Sequence, residues 1–182
     1  LCMFAFRSCL QAGVQLSDLL FSGRLKKGGK QIESLLGQFE ADKGREFNEI
    51  VRNYLKNIPV LKVWPHDVTI KQRGNFNADD NYGDIDVLAY DTNRNILYSI
   101  ECKNTNTAKN VKEMKTEMDE YLGRGINPEK DKKKALVLKH LRRHKWLQDN
   151  VDMVKKFVGV LSETEITIKS MMLTASVIPT SY

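Results

Sequence analysis

Two short runs, "GDIDV" (83–87) and "IECKN" (100–104), carry Asp84, Asp86, Glu101 and Lys103 in apolar surroundings. A charge within a strand pair is costly unless it sits at an edge or is compensated. Strand side chains alternate faces, so Asp84 and Asp86 are expected on one side, with Ile85 and Val87 on the other. Glu101 and Lys103 likewise share a side, with Ile100 and Cys102 opposite. "DTNRN" between the runs suits a hairpin connection of about five residues. Counting outwards from that turn brings Asp86 and Glu101 together across the pair, with the Lys103 ammonium beside them. Adjacent carboxylates repel. Lys103 offsets this in part, and a hard divalent cation does so better. Mg²⁺ binds through one or two carboxylates plus a substrate phosphate and keeps several waters. Water on such an ion is acidified, and Lys103 is placed to orient or deprotonate it. That combination suits phosphodiester hydrolysis. A structural salt bridge from Lys103 to Asp86 or Glu101 is the plainer alternative. The context favours the metal: Gly83 ahead of the motif, apolar strands around it, a Glu-bearing helix before it and a basic helix after it.

The elements that must position these groups are legible in the periodicity. In "DKGREFNEIVRNYLKNIP", Phe47, Ile50, Val51, Tyr54 and Leu55 recur at helical spacing, with Asp42 as the expected N-cap and Pro59 as the stop. "VLKVW" and "HDVTIKQR" read as strands parted by Pro65, and "GNFNADDNYGD" (74–84) as loop. "IDVLAY" and "NILYSIECK" are the two strands of the hairpin. Residues 107–122 predict a helix with Val111, Met114, Met118, Tyr121 and Leu122 on one stripe. After the basic loop "GRGINPEKDKKK", "KALVLKHLRRHKWLQDN" predicts a helix with Leu136, Leu141 and Trp146 towards the core. "VDMVKKFVGVL" predicts a further helix with Gly159 near its end, and "EITIKSMMLTASVIP" a terminal strand. The order is that of an α/β or α+β protein, a sheet with helices packed on it. Residues 1–40 read as an appendage, with a linker composition at "SGRLKKGGKQ" and a short amphipathic helix at "QIESLLGQFE", and residues 41–182 as the main domain.

At 182 residues the chain can bury a real core. The net charge of +6 is unevenly spread. Residues 103–145 hold thirteen Lys or Arg against six Asp or Glu, a local +7 that leaves the rest at −1. Such a block has the character of a phosphate-backbone footprint, although a solvated helix face gives the same composition. Lys109, Lys112 and Lys115 follow the motif at three-residue spacing, and Arg142, Arg143 and Lys145 form a second basic group. His140 and His144 stand four apart, a metal-compatible spacing that lacks a third ligand. Cys2, Cys9 and Cys102 form no framework, which suits a reducing, cytoplasmic setting. No run is long enough for a transmembrane helix. The apolar "LCMFAFRSCL" lacks a basic leader region, and Leu rather than Met at position 1 points to a longer parent chain.

"GDIDV" followed by "IECKN" resembles the PD-(D/E)xK nuclease superfamily, the restriction-endonuclease-like and Holliday-resolvase-like enzymes. The resemblance covers roughly residues 43–122, and Ile85 stands where the motif has Pro. It implies a central mixed four-stranded sheet flanked by helices, with Asp86 and Glu101 as Mg²⁺ (or Mn²⁺) ligands and Lys103 activating water. It further implies the carbonyl of Cys102 as a metal ligand and a helix glutamate as auxiliary acid, Glu46 in preference to Glu49. The implied activity is hydrolysis of DNA by a metal-dependent endonuclease domain, with a homodimer as the common form of such enzymes. An RNA-directed or structure-specific nuclease, or a non-catalytic nucleic-acid-binding or protein-interaction module of the same fold, are the rival expectations.

Overall fold

In the computed structural model of the chain, the hairpin expected around "DTNRN" forms the centre of a four-stranded sheet. The structure describes residues 6–21, 29–105, 110–122 and 135–176. Lys109, the basic loop at 123–134 and most of the expected linker (22–28) lie outside them. Two compact units make up the chain, Leu1–Arg45 and Glu46–Tyr182.

Helix α1 spans Phe6–Phe21 and exposes Leu10, Val14 and Leu16. Helix α2 runs unbroken over Lys30–Lys56. Its start is built on Gly29, whose carbonyl accepts from the Ile32 and Glu33 amides at 2.8 and 3.1 Å. The two separate helices expected here are therefore one, and Asp42 is not an N-cap but pairs with Arg45 three residues on. The residues between "QIESLLGQFE" and "GREFNE" are Ala41, Asp42 and Lys43, none a helix breaker, and the interior glycines Gly37 and Gly44 cost only about 1 kcal/mol each.

Strand β1 (Leu61–Val63) pairs antiparallel with β5 (Val87–Asp91), β5 pairs antiparallel with β6 (Ile96–Lys103), and β6 pairs parallel with β7 (Thr167–Thr174). The sheet is thus mixed and ordered β1-β5-β6-β7. A second sheet, ordered β3-β2-β4, joins β3 (Phe76–Asn77), β2 (Val68–Lys71) and β4 (Gly83–Ile85). The segment read as loop at 74–84 therefore holds β3 and the start of β4. Phe76 explains this: it is fully buried against Trp146 and Phe157, an anchor that a polar sequence context conceals.

Helices α3 (Val111–Leu122), α4 (Leu136–Asp149) and α5 (Val151–Val158) complete the described elements. Gly159 closes α5 in the left-handed region at φ +84°. On α4 the inward face is His140, Arg143, Trp146 and Leu147, whereas Leu141, expected inside, is exposed. Of the α3 stripe, Tyr121 is buried and Val111 is exposed.

Alternation along β5 and β6 divides the core. Leu88, Tyr90 and Leu97 join Phe76, Trp146 and Leu147 in one cluster. Val87, Ile100 and Cys102 form the other, against Phe47, Val51 and Leu55 of α2. The sheet is therefore sandwiched, and its β5–β6 hairpin is held from both faces. No helix among the described residues is long and apolar enough to cross a membrane.

Candidate functional site

The β5–β6 register sets the site. Val87 lies opposite Ile100, so Asp86, one residue further out, reaches the Glu101–Cys102 end of β6. The Cys102 amide donates to Asp86 Oδ2 at 2.8 Å. Asp86 also marks a bend: β4 ends at Ile85 and β5 begins at Val87, so the expected single strand over 85–90 is two strands in different sheets. At this bend the Asp86 carbonyl accepts from Arg52 Nη2 of α2 at 2.5 Å, a contact across 34 residues of chain. Asp84 consequently does not share Asp86's face within one strand. It is exposed on β4 opposite Thr69, and its carbonyl accepts from Arg143 Nη1 at 2.5 Å.

Glu101 is buried and carries two cations. Lys103 Nζ lies 2.8 Å from Oε1, and Arg143 Nη2 donates to Oε2. Lys103 remains partly exposed, whereas Arg143 is buried. The expectation that Arg143 presents a free basic surface is therefore corrected: its place on the inward face of α4, three residues before Trp146, commits it to Glu101. Burial raises the Asp86 pKa, and the Glu101 charge raises it further against the Cys102 N–H and Lys103. Cys102 points to the opposite, apolar side, where burial and the charges of Asp86 and Glu101 push its thiol up to about 12. This matches its expected core position.

Arg52 and Asp67 are participants that sequence reasoning missed. Besides the Asp86 carbonyl, the buried Arg52 guanidinium binds Glu49 and Asp67. Its signal was faint: an arginine one residue after Val51, at the margin of the α2 apolar stripe. Asp67, just ahead of β2, gave none. Both candidate helix acids are exposed, and Glu49 is the one that Arg52 links to the Asp86 carbonyl.

The remaining basic candidates scatter. Lys112 and Lys115 are exposed on α3, and Lys145 is exposed on α4. Arg142 lies over the Tyr82 ring and 3.1 Å from Asp80. His140 is buried, and burial together with Arg143 lowers its pKa. Among the described residues no group of three or more His, Cys, Asp or Glu has the geometry of a metal cage. The donors that do converge are the Asp86 and Glu101 carboxylates. Burial, and then the Glu101 charge, raises the Asp86 pKa, a cost that a divalent cation held by one or two carboxylates would offset, while Lys103 and Arg143 already engage both Glu101 oxygens.

Fold and site together define an α+β protein in which a mixed four-stranded sheet, flanked by helices, carries two opposed carboxylates and a lysine at one end of its central hairpin. A family model described as "Anti-phage protein Upx-like" matches residues 5–182, and the chain belongs to that Upx-like family. No curated protein and no solved structure matches the chain.

Proposed function

We propose that this chain is a metal-dependent nuclease that hydrolyses phosphodiester bonds of DNA, and that this cleavage serves the defence against phage for which its family is described. The observation that carries the reading is the meeting of Asp86 and Glu101 across the hairpin, with Lys103 on Glu101. Asp86 and Glu101 would hold Mg²⁺ or Mn²⁺, assisted by the Cys102 carbonyl; when bound, the ion supplies charge neutralisation and an acidified water. The chain's own groups divide the remaining work. The Cys102 amide and Arg52 fix the carboxylate and the carbonyl of Asp86. Arg143 orients Glu101 through its second oxygen. Lys103, tethered yet partly exposed, is placed to orient the attacking water or to meet the charge that builds on the phosphorus oxygens.

A second reading rests on the same Glu101. Both of its oxygens are engaged by cations, the arrangement of a structural ion-pair network in a non-catalytic nucleic-acid-binding module. One experiment separates the two. The purified chain is incubated with plasmid, linear and single-stranded DNA and with RNA, in Mg²⁺, Mn²⁺ or EDTA. The nuclease reading expects metal-dependent cleavage that Asp86→Ala and Lys103→Ala each reduce by at least about 10²-fold. It also expects Mg²⁺ or Mn²⁺ to raise the melting temperature of the wild type and not of Asp86→Ala. Cleavage left intact by both substitutions, or no cleavage by the wild type, overturns it. Cutting of RNA alone transfers the substrate and leaves the chemistry.

A further inference from the structure

Beside Glu101 and Lys103 lies a pocket of about 430 Å³, bounded by α4 on one side and by Asn81, Tyr82 and Gly83 on the other. Among the described residues its walls carry four cations, Lys103, Lys139, Arg142 and Arg143, against one carboxylate, Glu101. Lys139, Arg142 and Arg143 stand three and four residues apart on α4 and so share a face. Their commitments differ. Arg143 is fixed by Glu101 and the Asp84 carbonyl. Arg142 is exposed, lies over the Tyr82 ring and pairs with an exposed aspartate, Asp80, an interaction that solvent makes weak. Lys139 is exposed and has no ion-pair partner among the described residues. Leu136 brings the first turn of α4 to the same pocket, and Ala135 before it offers no side-chain acceptor to the turn's amides. Gly83 lines the opposite wall at φ +88°, a backbone conformation that residues with side chains rarely adopt.

A small cavity with this excess of positive charge and a helix start at its rim is suited to an anion with several acceptor oxygens. Two of its walls, Glu101 and Lys103, also belong to the site on β6. An anion seated here is therefore next to whatever reacts there, and a nucleic-acid strand supplies phosphates in that serial arrangement. We propose that the pocket holds the backbone phosphate flanking the scissile one, gripped by Lys139 and Arg142 against a wall fixed by Arg143. The inference rests on the nuclease reading of Asp86, Glu101 and Lys103 for the identity of the neighbouring phosphate.

The test is binding rather than cleavage. Affinity of the full chain for short fluorescein-labelled duplex DNA, single-stranded DNA and RNA is measured by anisotropy in EDTA over a series of NaCl concentrations. Lys139→Ala/Arg142→Ala is expected to weaken binding about tenfold or more and to flatten the plot of log affinity against log salt by roughly 1 to 2. Lys139→Ala alone is expected to flatten it by about half as much, and it covers the case in which loss of Arg142 from Tyr82 disturbs folding. Lys156→Ala, exposed on α5 and outside the pocket lining, is the control with an unchanged slope. Unchanged affinity and slope in Lys139→Ala overturn the proposal, as does inorganic phosphate or a mononucleotide binding the wild type when no oligonucleotide does. Pocket-dependent binding by a wild type that cuts nothing upholds the phosphate pocket and sinks the nuclease reading alone.

Discussion

Two buried arginines flank the Asp86–Glu101 end of the hairpin, and they are held in unlike ways. Arg143 reaches from α4 to Glu101, and both side chains are only 7% exposed. Arg52 reaches from α2 to Glu49 and Asp67, whose side chains are 52% and 48% exposed, and to the backbone of Asp86. The same guanidinium therefore does two jobs. Arg143 compensates a carboxylate that has no other escape from the interior except Lys103. Arg52 mainly pins backbone, and its carboxylate partners can return to water. The worth of an ion pair depends on what is left behind when one member goes, and that depends on the burial of the partner.

The largest effect expected from this contrast is for Arg143→Ala. It strands Glu101 in the interior and should cost about 3–5 kcal/mol in urea unfolding. Adding Glu101→Gln should recover a good part of that loss, because the stranded charge goes with it. Arg52→Ala should cost less, roughly 1–3 kcal/mol, chiefly for the unpaired Asp86 carbonyl. An Arg52→Ala variant as unstable as Arg143→Ala would break the comparison.

The smallest expected effect has the opposite sign. The folded-state pKa of Asp86 is raised, first by burial and then by Glu101. As pH rises, the unfolded carboxyl ionises before the folded one, so Asp86 costs stability at pH 7 and the cost disappears at acid pH. Asp86→Asn should therefore stabilise the protein at pH 7. Melting curves across pH should show its advantage closing as the pH falls towards 3.8, the ordinary carboxyl value. An Asp86→Asn variant less stable than wild type at pH 7 would mean that the Asp86 carboxylate is compensated more fully than its surroundings suggest.

What could be read in advance follows the range of each interaction. The encounter of Asp86 with Glu101 was legible because a hairpin is local: turn length and two-residue alternation set the register, and the Val87–Ile100 pair obeys them. The inward position of Cys102 followed from the same alternation. Arg143 was legible in principle, since His140, Arg143 and Leu147 fall at three- and four-residue steps, but a basic cluster invited a surface reading. Phe76 and Arg52 were not legible, because one apolar residue in a polar run, or one arginine beside an apolar stripe, carries no periodicity.

By itself, then, the sequence determined a sheet with helices packed on it, the central hairpin and the two carboxylates with their lysine, all products of local periodicity and turn chemistry. Only the tertiary structure decided the partners: Arg143, 42 residues from Glu101, Arg52, 34 residues from Asp86, and the bend that hands the chain from one sheet to the other at Asp86. Those depend on how helices dock on the sheet. A helix repeat says which residues face inward, and only packing says what they meet there.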